Sequence, residues 1–278
     1  MSIPENRETP PASELRRVGE GREAEIFSWG EAQVLRLLRD PSAGEWADRQ
    51  AAAMSAASRS GAPVPAVAAQ IRVQGRPGIV MERVDGPPLM TVLARSPWKL
   101  FSVARMQGAL HARLHGVMAP PALPELRGFL RERIERAEAL PQSLAAFSLE
   151  LLDTLPGGDR LCHGDFHVGN ILVGPGGPVV IDWTLAARGD PDGDVGRSVM
   201  LIRLGEVPPG TPATIRVGRR FGQGLFLRAY ERAYRGHRTV DEAAVGRWEI
   251  VNAAARFEER IESEYPALER LIESRMHR

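Results

Sequence analysis

Residues 161–173, LCHGDFHVGNILV, and residues 179–183, VVIDW, decide how the rest of this chain is read. Both are β-like runs. The GPGG between them reads as the turn of a two-stranded ribbon over Arg160 to Trp183. Folding that ribbon back on itself brings three oxygen-bearing side chains together: Asp165, Asn170 five residues on, and Asp182 twelve residues beyond that. Phosphoryl transfer from a nucleotide needs such a set. One carboxylate accepts or orients the proton of the attacking hydroxyl, while a second carboxylate and an amide oxygen hold the magnesium that bridges the phosphates. Two other readings stay open. HGDFHVGN, rich in Gly and Asp, is also turn chemistry. His163, Asp165 and His167 alternate along an extended segment, so a metallohydrolase could point all three at one ion.

Working outward, Glu14 to Val18, Ala24 to Trp29 and Ala32 to Leu38 read as three antiparallel strands, separated by GEG and by a tight WGEA connection. Ser42 to Ser60 is Ala-rich, stops at Gly61 before PVP, and reads as a helix. Ala66 to Val73 and Gly78 to Val84 add two strands around QGRPG. Past Asp85-Gly86-Pro87-Pro88 the texture changes to amphipathic segments: Trp98 to His115, Leu126 to Ala139, Leu144 to Leu155, Ala213 to Arg235, and Asp241 to Arg278 with a break at Pro266. The expectation is a bilobal α+β fold. A small mostly-β lobe takes residues 14–84 and a mostly-α lobe takes 85–278, after a lead-in over 1–13 that has nothing to bury.

Composition narrows the partners. Thirty-six Lys and Arg stand against 35 Asp and Glu, a formal net charge of +1, which excludes a dedicated binder of nucleic acid or of a charged membrane surface. Only Lys99 is a lysine; the other 35 basic residues are arginines. The single cysteine, Cys162, excludes an intramolecular disulfide and a multi-cysteine zinc site, and reads as a buried small hydrophobe. MSIPENRETPPASE lacks the basic-then-apolar order of an export signal, and no window approaches a membrane span, so the expected location is the cytoplasm. His111 and His115 share a helix face, but HARLH lacks the Glu of a zinc-protease helix, and they read as packing residues. The oligomeric state stays open.

The H-G-D-x-x-x-x-N at 163–170, followed by the apolar strand ending in I-D-W, resembles the signature of the aminoglycoside phosphotransferase and choline kinase superfamily. VGEGREAEIFSWG at 18–30, VLRLL at 34–38, GAPVP at 61–65, MERVDG at 81–86 and GDPDGDV at 189–195 fall where that family has its flanking pieces. The resemblance implies a protein kinase-like fold, ATP (or GTP) with Mg2+ in the cleft, and transfer of the γ-phosphoryl group to a small-molecule hydroxyl on an aminoglycoside-type antibiotic, an amino alcohol or a sugar. Carried over by position, Asp165 is the catalytic base, Asn170 and Asp182 are the Mg2+ ligands, and His163, Gly164 and Asp194 shape the loop. Gly19 and Gly21 let the backbone approach the phosphates, Val34 presses on the adenine, Arg36 reaches the phosphates, and Glu82 lies in the hinge.

Two departures from that pattern stand out. Residue 36 is arginine where lysine is usual, and Gln50 occupies the place of the glutamate that pairs with that cation, an amide contact being weaker than a salt bridge. They motivate a competing expectation, a pseudokinase that binds nucleotide without turnover. For the acceptor, Glu258 and Glu262 in FEERIESEY share a helical face at i, i+4, although Arg256 and Arg260 beside them also form ordinary helix pairs. Asp190 or Asp192 is expected near the start of the following helix.

Overall fold

The computed structural model describes residues 14–204 and 213–276, with the backbone alone over 213–220. The lead-in at 1–13 and the last two residues lie outside the described residues. The chain opens with strands β1 (Arg17–Glu20), β2 (Ala24–Trp29) and β3 (Gln33–Leu38), helix α1 (Gly44–Arg59), and strands β4 (Val67–Val73) and β5 (Arg76–Glu82). The strands form one antiparallel sheet in the order β1-β2-β3-β5-β4. Alternation along β3 divides its side chains. Leu35 and Leu37 are buried with Phe27, Val73 and Val80 on one face, which leaves Val34 and Arg36 on the other. The small side chains of Ala47, Ala51 and Ala57 let α1 lie close beside Leu38, Ile79 and Met81. The helix ends where Gly61 takes φ +73 and Ala62 N–H reaches back to Ala57 O.

β1 begins later than its composition suggests. Gly19 and Glu20 pair with Ile26 and Glu25 inside the ladder after a register shift between Arg17 and Gly19, so only residues 21–23 connect the first two strands.

The rest is helical: α2 (Leu89–Arg95), α3 (Leu100–Leu114), α4 (Leu126–Glu135), α5 (Gln142–Asp153), α6 (Pro191–Leu204), α7 (Ala213–Arg235), α8 (Glu242–Arg256) and α9 (Tyr265–Met276). Four short strands interrupt it between α5 and α6: β6 (Arg160–Cys162), β7 (Ile171–Gly174), β8 (Gly177–Val180) and β9 (Ala187–Gly189). The expected single ribbon is two. β7 pairs with β8, whereas Arg160 to Cys162 pair with Ala187 to Gly189, because the chain turns sharply at Gly164 between the two halves of the motif.

The C-terminal break also moves. It spans two 3-10 turns, Phe257–Glu259 and Glu262–Glu264, on either side of Arg260 at φ +55. Pro266 instead sits in the first turn of α9, where a missing N–H has no helical partner to lose. Glu258 and Glu262 therefore do not share the face of one helix. One apolar core joins Leu38, Ile79 and Met81 of the sheet to Val103, Leu161, Phe166 and Tyr230 of the helical part. A second gathers Leu130, Leu152, Trp248, Phe257 and Leu268 from α4, α5, α8 and α9. Among the described residues no helix is long and apolar enough to cross a membrane.

Candidate active site

Val34 and Arg36 line a cleft of about 1130 Å3 between the sheet and the helical part. Ile26, Val34 and Met81 on the sheet side face the same space as Leu172 and Ile181 of the β7–β8 region, an apolar slot suited to a planar ring. Gly19 and Gly21 also line it. Neither has a left-handed φ, and a Cβ at Gly21 would meet only Ala24 O, at 3.9 Å, so their contribution is backbone left uncovered by side chains. At the end of β5 the N–H groups of Glu82 and Arg83 bond Ala66 O and Ala32 O, and the Glu82 carboxylate accepts from Ala66 N–H at 3.3 Å. From Val84 onward the hinge N–H groups have no backbone acceptor among the described residues.

Arg36 is anchored at three points. Its Nη1 donates to Gln50 Oε1 at 2.5 Å, and its Nη2 to Thr184 Oγ1 at 2.9 Å and Asp182 Oδ1 at 3.3 Å. Gln50 thus occupies the helix position expected of a carboxylate, while Asp182 supplies the negative charge that the amide lacks. Thr184 gave no signal in the sequence.

The 163–170 loop is shaped from below by Asp194, in the first turn of α6. Asp194 Oδ2 accepts from His163 N–H at 2.5 Å and Oδ1 from Gly164 N–H at 2.9 Å. Gly164 has φ +79, and a Cβ there would lie 2.2 Å from Leu185 O, so both conformation and space require glycine. His163 Nδ1 accepts from Asp165 N–H at 3.3 Å, which puts the ring hydrogen on Nε2, 3.0 Å from the accepting carbonyl of Ile181. With both nitrogens engaged, His163 cannot join Asp165 and His167 around an ion. The metallohydrolase alternative loses its ligand set.

Three donors converge on Asp165. Its Oδ1 accepts from Arg197 Nη2 at 3.3 Å, and its Oδ2 from Asn170 Nδ2 at 3.1 Å and His167 Nε2 at 3.3 Å. Gly169 N–H donates to His167 Nδ1 at 3.0 Å, which fixes the tautomer that can donate to Asp165. Burial alone pushes this carboxyl up, but the His167 hydrogen bond and the Arg197 charge outweigh it and hold Asp165 well below the usual carboxylate range. It is an anion facing the cleft. Asn170 donates its amide hydrogens to the Asp165 carboxylate and, at 2.9 Å, to its carbonyl, which leaves the amide oxygen open. Ile181 N–H bonds Asn170 O at 2.9 Å and so holds Asn170 beside the turn at Asp182, a non-glycine residue at φ +62. Asp182 Oδ1 is taken by Thr184 and Arg36, and its second oxygen has no partner among the described residues. An open amide oxygen and an open carboxylate oxygen fit a hard divalent cation.

His111 and His115 do more than pack. Tyr230 and Tyr234 hydroxyls donate to their Nδ1 atoms at 2.7 and 2.6 Å, and their Nε2 atoms donate to Asp194 Oδ2 at 3.1 and 3.2 Å. The trio has the atom types of a metal site, yet every ring nitrogen already has a protein partner. Desolvation, then the neighbouring His115, holds the His111 imidazole down at about 4. Desolvation also pushes the Asp194 carboxyl up, but His111 and His115 outweigh it and hold it well below the usual carboxylate range.

At the far end of the cleft stand Phe129 and Arg133 of α4 and Arg136 at its C-terminal cap, with Arg256, Glu258 and Glu259. Glu258 is where the sequence places it, in the cleft wall. Glu262 is exposed and outside that wall. The residue that replaces it is Glu259, whose Oε1 accepts from Arg133 at 2.8 Å and from the fully buried Arg197 at 2.6 Å. Burial pushes the Glu259 carboxyl up, but Arg197, Arg256 and Arg133 prevail and lower it. Arg197 follows Asp194 by one helical turn, the one sequence cue that could have marked it.

A five-stranded antiparallel sheet over a helical part, with Asp165 and Asp182 lining the cleft between them and Asn170 bonded to Asp165 behind it, is the architecture of the kinase-like fold, and the comparisons that follow make the chain a small-molecule phosphotransferase. Residues 14–244 match the family model described as the phosphotransferase enzyme family, and the chain belongs to that family. Similar solved structures include aminoglycoside phosphotransferase APH(4)-Ia (14% identity, 94% of this chain and 92% of that chain, TM-score 0.64). The amicoumacin kinase hAmiN, in complex with AMP-PNP, Ca2+ and Ami, is 14% identical over 94% of this chain and 87% of that chain, at TM-score 0.63. A choline/ethanolamine kinase family protein from Mesorhizobium loti is 17% identical over 93% and 88%, at TM-score 0.59. No curated protein matches the sequence.

Proposed function

We propose that this chain transfers the γ-phosphoryl group of ATP, or of GTP, to the hydroxyl of a small molecule, with Asp165 at the acceptor and Asn170 and Asp182 holding Mg2+. The lobes divide between Val84 and Asp85. The apolar slot around Val34, Met81, Leu172 and Ile181 takes the base, the Val84 N–H marks its edge, and Arg36 reaches the phosphates. The open oxygens of Asn170 and Asp182 would hold Mg2+, which would supply neutralisation of the phosphate charge. Asp165 accepts the hydroxyl hydrogen and aims the oxygen at phosphorus. The new O–P bond forms as the bond from phosphorus to the β,γ-bridging oxygen breaks, and the proton passes to the carboxylate. A strongly stabilised anion is a weak base, so its work is mainly orientation, which suits a loose transition state that needs little early deprotonation. Arg36 and Gln50 do not favour the pseudokinase alternative, because Asp182 and Thr184 complete the anchoring of that cation. A single buried cysteine suits the reducing cytoplasm, where we place the protein.

The observation that carries this reading is Asp165, an anion fixed by three donors in the same cleft as Arg36 and Asp182. The test is Asp165→Ala. Turnover is expected to fall by about 10²–10⁴-fold, while MgATP still raises the melting temperature; undiminished turnover would overturn the assignment. Asp182→Ala is expected to remove the Mg2+ dependence of nucleotide binding.

A further inference from the structure

We infer that the acceptor carries an anionic group, a carboxylate or a phosphate, beside the hydroxyl that is phosphorylated, and that Arg133 and Arg136 receive it. This rests on the phosphotransferase reading of the same cleft. The cleft wall beyond Asp165 is one face of α4 and its C-terminal cap, along which Phe129, Arg133 and the cap residue Arg136 recur at helical spacing. A wall built for a polyamine presents carboxylate oxygens without partners. On this wall the carboxylates are taken, and the carboxylate of the same cleft without a hydrogen bond or ion pair among the described residues, Glu23, stands apart in the loop before β2. Glu259 accepts from Arg133 and Arg197 on one oxygen and from Arg256 on the other. Glu258 accepts from Arg133 Nε at 2.6 Å and lies 3.5 Å from Arg136 Nε. Arg256 is closed off in turn by two bonds to Glu264, at 2.7 and 3.0 Å.

What this network leaves for a ligand is guanidinium. Arg133 donates through Nε and Nη2, and Arg136 through Nε and Nη2 to Glu132; the Nη1 atoms of both have no acceptor among the described residues. Arg133 is held in place by its pairs and lies over the Phe129 ring, its guanidinium carbon 5.7 Å from the centroid. Two guanidiniums one helical turn apart, with free N–H groups, match the oxygens of a carboxylate or phosphate and offer an ammonium group no acceptor. Phe129 and Ile261 supply an apolar surface for the carbon skeleton.

The test is a series on one scaffold: glucuronate, glucose 6-phosphate, glucose and glucosamine, with kanamycin as a polycation, each offered with MgATP and read as phosphorylated product by mass. The two anionic sugars are expected to exceed glucose and both amines by about tenfold or more in kcat/KM, mainly through KM. The two anions between them separate carboxylate from phosphate. Arg136→Gln is expected to raise KM for the anions, and Arg136→Glu to tilt the ratio towards glucosamine, which a purely structural role for this exposed side chain does not do. Preference for glucose or an amine, or an anion preference unmoved by both variants, overturns the inference. Where no sugar turns over, thermal shift with AMP-PNP decides: stabilisation by the anions alone, lost in Arg136→Gln, supports it, and equal or absent stabilisation overturns it. The underlying reading fails on a different result, namely that MgATP leaves the melting temperature unchanged.

Discussion

Arg197 lies 32 residues from the carboxylate it touches, and it is the side chain on which the state of Asp165 depends most from outside the loop. Removing its charge lets burial reassert itself, so the Asp165 carboxyl rises. In the role proposed for Asp165 the ionised form is the active one, so the acidic limb of the kcat/KM profile is expected to move to higher pH in Arg197→Gln, with a loss of about tenfold at neutral pH. Arg197→Lys keeps a charge but not the fork that reaches Asp165 and Glu259 together, so it is expected to restore the limb only in part. An unshifted limb in both variants contradicts the assignment. Gly164→Ala tests the turn beneath Asp165. A left-handed φ and a carbonyl 2.2 Å away predict about 3 kcal/mol or more of destabilisation, read from urea unfolding. That Asp165, Asn170 and Asp182 lie near one another was legible in the sequence because the 163–170 loop and the turn at Asp182 flank the β7–β8 ribbon, whereas Asp194, on α6, was marked by the family resemblance alone. Arg197 was not legible, since 35 arginines of similar appearance hide the two that are buried, Arg133 and Arg197, and Glu259 was passed over because an unbroken helix was expected to pair Glu258 with Glu262.

At the level of elements, α3 and α6 are joined through charge that changes with pH. The His111 ring titrates at about 4 in the fold and at 6.5 when unfolded, so the unfolded state binds more protons between those values and stability falls as pH drops through them. That contribution is on the order of 3 kcal/mol at its largest. Asp192, raised to about 6 by burial, acts oppositely: its protonated form favours the fold, and its contribution is lost as pH rises from 3.8 through 6. Urea unfolding between pH 4 and pH 8 separates the two, because His111→Gln is expected to flatten the acid-side loss and Asp192→Asn to steepen it. A second element pair, α1 and β3, meets at Gln50, whose Nε2 is buried without a partner. Gln50→Glu removes that orphan and sets a charge against Arg36, so it is expected to stabilise the protein by about 1–3 kcal/mol. Strands β2 to β5, α1 and most long helices were readable from periodicity and from Gly and Pro punctuation, whereas the start of β1 and the pairing of β6 with β9 were not. α2 was not, being seven residues directly after two prolines. The break after α8 was missed because its left-handed residue is Arg260, a type that gives no turn signal, whereas Pro266 gives one and sits inside a helix.

For the whole molecule, the sheet and the helical part share one apolar core, and Arg22 of the loop before β2 donates to Glu259 O across the cleft at 2.5 Å. A core that does not divide at the cleft predicts one cooperative transition in calorimetry rather than two. Saturating MgATP is expected to raise its midpoint without splitting it, by about 2.7 kcal/mol of stability at a hundred times Kd. Two separate transitions contradict this. The lone thiol follows the same logic. Cys162 is wholly buried in β6, one residue before the loop, with burial pushing its thiol far up and Asp190 O 3.6 Å from its sulfur. In the closed protein it is silent towards alkylating reagents. Its modification can proceed only as fast as β6 and β9 separate, so the rate of labelling is a native stopwatch for local opening at the phosphoryl-transfer centre, with no other cysteine in the chain to blur the reading.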